Sequence, residues 1–98
     1  MQPWAFSDSP DTACVTSADI INKLCPILYA SREVDEDDEV TWQFLTDPSS
    51  FDFEKAKLVR LDSIVTFDHS LCELADLPVG MSAARMTVDS PWLRRKCD

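Results

Sequence analysis

The sequence is poor in the residues from which common catalytic and cofactor sites are built. It has one glycine, Gly80, and one histidine, His69. A phosphate cradle needs several glycines so that backbone amides can approach the anion, which excludes the common nucleotide and dinucleotide sites. A histidine-based nucleophile–base pair would have to use His69. Its neighbours Asp68 and Ser70 are turn formers, and His69 reads as an exposed turn residue. Cysteines stand at 14, 25, 72 and 97 with no Cys-x-x-Cys pair, so no structural zinc is expected. Basic residues number 9 against 18 acidic, a formal net charge of −9. That balance excludes a dominant nucleic-acid-binding role, because a phosphate backbone needs clustered cations. No apolar run approaches the roughly 20 residues of a membrane span, so no membrane partner is expected.

The first residues, Met1-Gln2-Pro3-Trp4, carry neither a basic nor an apolar leader pattern. A cytoplasmic location is therefore the expectation, and disulfides are not. Cys14, Cys25 and Cys72 stand among apolar residues and read as small core side chains. Cys97 follows Arg94, Arg95 and Lys96 and reads as an incidental tail thiol whose cationic neighbours favour the thiolate.

What the chain does have is enough apolar matter for one core. It is 98 residues long and 45% hydrophobic, with three Trp and five Phe. One domain over residues 1–98 is expected: an N-terminal arm over 1–12, a core over 13–88 and a tail over 89–98. Within the core, Ala13-Cys14-Val15-Thr16 reads as a short strand. Thr16 and Asp19 fit the start of a helix over 17–24, which Pro26 stops. Residues 27–34 and 40–45 read as strands, the second with clean alternation of Val40, Trp42 and Phe44. Asp47-Pro48-Ser49-Ser50 is turn chemistry. Residues 57–61 read as a strand, and Asp62 as the N-cap of a helix carrying Ile64, Val65 and Phe67. Ser70 and Glu73 have the spacing of another helix start. Leu77-Pro78-Val79-Gly80 breaks it, with Gly80 placed for a positive φ. Residues 81–88 read as the last strand. The fold class expected is α+β: a small antiparallel sheet of four to five strands with two or three short helices packed on one face.

The densest chemical signal is charge. Six of the seven residues from Glu33 to Glu39 are acidic. They bridge two strands, so they form a hairpin loop. Three readings stay open: a solvated loop, a docking surface for a basic partner, or an oxygen-ligand calcium loop. Asp35, Asp37 and Glu39 have the alternate spacing of such a loop. Val40 and Thr46 stand where its glycine and its bidentate glutamate belong. As a docking surface, the candidate set is Tyr29, Arg32, Glu33, Asp35, Glu36, Asp37, Asp38, Glu39 and Trp42. Like charges raise the local potential and steer encounter with a basic protein. Tyr, Trp and Arg are the usual anchor types, although Trp42 reads more readily as core. No catalytic residue, metal or cofactor is assigned, and the chain is not expected to be an enzyme. Monomer and homodimer are both left open.

Five pieces in order also resemble a family. They are Cys14-Val15-Thr16-Ser17; Tyr29-Ala30-Ser31-Arg32-Glu33 running into the acidic stretch; Trp42-Gln43-Phe44; Leu61-Asp62-Ser63-Ile64 leading to Phe67-Asp68; and Asp76-Leu77-Pro78-Val79-Gly80 followed by Ala83 and Arg85. Together the pieces span residues 14–85 and resemble the bacterial immunity proteins of polymorphic toxin systems, immunity protein family thirty-three. Thr41 stands where the family often has glycine. The resemblance implies a binding role, in which the protein neutralises a toxin by covering its active site or locking it inactive. Many such toxins have basic clefts, so the implied partner is a protein, a basic toxin domain among the possibilities.

Overall fold

The computed structural model describes residues 4–34 and 36–96. Asp35 and Cys97 therefore lie outside the described residues. Alternation of apolar and polar side chains builds β1 (Ala13–Ser17), β2 (Tyr29–Val34), β3 (Val40–Leu45), β4 (Ala56–Arg60) and β5 (Met81–Ala84). A further strand, β6 (Leu93–Lys96), falls in the segment read as a tail. Among the described residues these form one six-stranded sheet in the order β4-β1-β3-β2-β5-β6. The α+β class stands, and the strand number is higher than the four to five expected.

The sheet is mixed rather than wholly antiparallel. β1 and β3 run parallel, with Cys14 beside Trp42 and Val15 beside Gln43. The hairpin of β2 and β3 is intact from Tyr29–Leu45 to Val34–Val40. After β1 the chain passes through helix α1 (Ala18–Ile21) and returns down β2, so β3 re-enters alongside β1 in the same direction. The local hairpin signal gives only the β2–β3 pairing; the parallel neighbour is a tertiary choice.

One face of the sheet carries the core. Cys14, Trp42, Phe44, Ala30 and Ala83 alternate on that side and pack with Ile20, Ile27, Leu61, Ile64, Leu71, Leu74 and Leu77. Phe6 from the arm meets the Trp42 ring edge-on, with centroids 5.5 Å apart. Trp42 in turn stacks on Phe44 at 5.6 Å. Aromatic pairs at these separations add to the burial term and fix the arm onto the sheet.

The helices differ from expectation in how they start. α1 spans only Ala18–Ile21, and its cap is Ser17, whose side chain accepts from the Ile20 amide. Thr16 stays in β1, where its buried hydroxyl donates to the Phe44 carbonyl at 2.8 Å. The chain leaves α1 through Lys23 at φ +63°, with Leu24 N–H bonded to Asp19 O and Lys23 N–H to Ile20 O. That paired closure ends the helix before Pro26 is reached. Helix α2 (Leu61–Phe67) has no side-chain cap at all. The carbonyls of Thr12 and Pro10 accept from the amides of Leu61 and Asp62 instead. The arm thus does what Asp62 was expected to do, and Asp62 sits in the first turn. Asp68, not Ser70, caps the short 3-10 helix over His69–Leu74 by accepting from the Ser70 amide at 3.0 Å.

β5 stops at Ala84, short of residue 88. Arg85 turns inward there, and Thr87–Ser90 forms a turn closed by Ser90 N–H to Thr87 O. Gly80 has the positive φ expected of it, +87°.

Candidate protein-docking surface

The acidic run sits at the end of the β2–β3 hairpin, in the middle of the sheet rather than at its rim. Continuous pairing from Tyr29–Leu45 to Val34–Val40 holds the loop at a fixed place. Glu36, Asp37, Asp38 and Glu39 are all exposed. Asp38 takes φ +61°, a left-handed conformation that Asp tolerates better than most residues and that tightens the loop. Four carboxylates on adjacent residues place a concentrated negative potential at one end of the molecule. Asp35 belongs to the same loop by sequence and lies outside the described residues.

The strand residues of the candidate set divide between the two faces. Tyr29 and Glu33 lie on the face away from the core, opposite Leu45 and Thr41, and both are half-buried. Four steps along the strand separate them, about 13 Å. Glu33 adjoins the loop and Tyr29 stands at the far end of β2. Arg32 lies on the core side. Its guanidinium donates to the Leu77 carbonyl at 3.0 Å and to Asp8 at 3.3 Å. It also lies 5.4 Å from the centre of the Trp42 ring. Arg32 therefore clamps the arm and the 77–80 segment over the core. Trp42 is 0% exposed and offers no surface to a partner. The surface available on this side of the candidate set is Glu33 and the loop, with Tyr29 set apart.

That loop borders the sheet face away from the core cluster. On it Val15, Gln43 and Tyr29 are half-buried, and Ser31, Ser82 and Leu45 are buried. Leu58 and Leu93, on the same side at the two flanks, are 75% and 67% exposed. The exposed parts of this face, its two flanking leucines and the acidic loop, suit contact with another protein.

Among the described residues no group of three or more His, Cys, Asp or Glu could hold a metal ion. His69 is exposed at the start of the 3-10 helix. No helix among the described residues is long and apolar enough to cross a membrane.

One cluster was missed in the sequence. Arg85 is buried, and its Nε and Nη2 donate to the Ile27 carbonyl at 3.0 and 2.8 Å. It also donates to Ser70 Oγ at 2.8 Å and to Asp68 at 2.6 Å. Trp92 covers it, with the guanidinium carbon 4.3 Å from the ring centre. Burial opposes ionisation of Asp68, but the Ser70 hydroxyl and the Arg85 guanidinium outweigh it and hold the carboxyl below its ordinary range. Every guanidinium nitrogen is engaged, and the cluster braces the fold.

No protein-family model, no curated protein and no solved structure matches the chain.

Proposed function

We propose that this chain is a small, acidic, non-catalytic binding protein that docks a basic protein partner through its hairpin end. The observation that carries the reading is the run of exposed carboxylates from Glu36 to Glu39 at the end of a fully paired central hairpin. An acidic projection whose two ends are held by paired strands gains association rate at reduced entropic cost. Glu33, next to the loop on β2, extends the contact beyond it. A net charge of −9 favours approach to a cationic surface over the whole molecule. The order of sequence pieces over residues 14–85 supports a narrower version: an immunity protein that neutralises a toxin by covering its active site. On that version the partner is a basic toxin domain.

The test is affinity capture at low salt from the native host, using the whole chain and a variant with Asp35→Asn, Asp37→Asn and Asp38→Asn in parallel. A basic protein enriched by the first and depleted from the second supports the reading. Capture of the same proteins by both rejects the hairpin as the docking surface. A housekeeping enzyme captured through the hairpin would favour an accessory or regulatory domain over an immunity protein.

A further inference from the structure

Each outer strand of the sheet, β4 on one side and β6 on the other, leaves an edge with no strand beside it among the described residues. Unpaired edges expose backbone donors and acceptors and accept another strand unless something prevents it. The two edges differ in how they would receive a second copy of themselves.

Along an antiparallel strand, successive residues turn their backbone groups to alternate sides. The Leu61 amide donates to the Thr12 carbonyl at 2.8 Å, one step beyond the Ala13–Arg60 pair. Leu61, Val59 and Lys57 therefore face β1. Arg60, Leu58 and Ala56 turn their N–H and C=O groups outward. Two copies of β4 laid antiparallel about a two-fold axis at Leu58 bring outward residues onto outward residues. Leu58 meets Leu58 of the second copy, and Ala56 meets Arg60 twice. In the intervening pairs Lys57 faces Val59, so no like charges stand directly opposite. Moving the axis by one residue to Lys57 sets two ammonium groups against each other, which disfavours that register.

Each face of this edge carries an exposed or half-buried apolar side chain beside a charged one. Leu58 is 75% exposed on the face away from the core, which Arg60 shares. On the helical face, Val59 joins the exposed Ile21 and Phe67 in lining a shallow groove. The β4 segment contains no proline; its charges are Lys57, on the helical face beside Val59, and Arg60 at its end. β6 is the contrast. Its residues Leu93, Arg94, Arg95 and Lys96 are all exposed. Any antiparallel self-register that keeps two of its pairs sets a cation against a cation. β6 is thus protected against its own copy, and β4 is not.

We propose that the chain forms an isologous dimer through β4, joining two sheets into one continuous sheet with a Leu58 pair at its centre. β1 separates this edge from the hairpin, so the dimer and the acidic docking surface stand or fall separately.

Sedimentation velocity of the full chain from about 10 μM to about 1 mM tests the proposal. The expected result is a monomer–dimer equilibrium. Leu58→Lys alters an exposed side chain, keeps the circular dichroism spectrum and raises the dissociation constant roughly tenfold or more, because the axis applies the change twice. Leu24→Lys, on a different exposed apolar site, leaves it unchanged. In the unaltered chain, amide exchange at Leu58 and Arg60 slows as concentration rises. A monomer throughout, a dimer indifferent to Leu58→Lys, or exchange at these amides independent of concentration would each overturn it.

Discussion

The Arg85 guanidinium donates to the Asp68 carboxylate at 2.6 Å across 17 positions of sequence. It joins the end of β5 to the start of the 3-10 helix, and the Arg85 side chain is only 2% exposed. Removing Asp68 leaves that guanidinium buried without its counter-charge. Asp68→Ala should therefore cost about 3–5 kcal/mol, measured by urea unfolding. A loss below about 1 kcal/mol would mean that the cluster does not brace the fold.

The same pair sets a pH dependence. Burial raises the Asp68 pKa, but hydrogen bonds from Ser70 and Arg85 lower it further, so the folded carboxyl titrates below its ordinary range. A depressed carboxylate contributes stability that is present above its unfolded pKa, about 4, and lost as pH falls through the folded value. The stability difference between the unaltered chain and Asp68→Asn should be largest near neutrality and shrink on acidification. A difference that stays constant down to about pH 2 would contradict this.

Cys14 is fully buried in β1. Burial, with a smaller contribution from the Asp8 charge, pushes its thiol pKa up to about 12. The thiolate is the reactive form, so Cys14 should resist alkylation in the native protein. Cys25 and Cys72 are half-buried and should react before Cys14. Peptide mapping after brief iodoacetamide treatment checks the order; equal labelling of Cys14 and Cys25 would contradict it.

Gly80 holds φ +87°, and a Cβ added there would meet no atom within 4 Å. Gly80→Ala thus isolates the backbone cost of a left-handed residue, about 1 kcal/mol, with no steric clash. Thermal unfolding should show a lowered midpoint and an unchanged fold. An unchanged midpoint would show that the turn relaxes to another conformation.

Most of the sheet is legible in the sequence because its signal is local. Val40, Trp42 and Phe44 alternate, and the polar run before them needs a hairpin. β6 is not legible, since Leu93-Arg94-Arg95-Lys96 has no apolar period and is exposed on every residue. Its place comes from pairing with β5, a tertiary contact. The starts of α1 and α2 misread for the same reason. Thr16 is held in β1 by the Phe44 carbonyl, and carbonyls of the arm replace a cap at Asp62. Arg32 and Trp42 look like interface residues by type, yet the arm and the 77–80 segment fold over them. Arg85 gives no local sign of burial, because its partners at Ile27, Ser70 and Asp68 are distant in sequence. The loop Glu36–Glu39 is the reverse case: like charges in a row cannot be buried, so its exposure is legible from composition alone.

Association kinetics of the captured basic partner, as a function of ionic strength, test the hairpin reading most directly. With the unaltered chain, the on-rate should fall steeply as salt rises. With Asp35→Asn, Asp37→Asn and Asp38→Asn together, it should be roughly tenfold slower at low salt and nearly flat, the two converging at high salt. An on-rate and salt slope that the substitutions leave unchanged would place the docking surface elsewhere on the molecule.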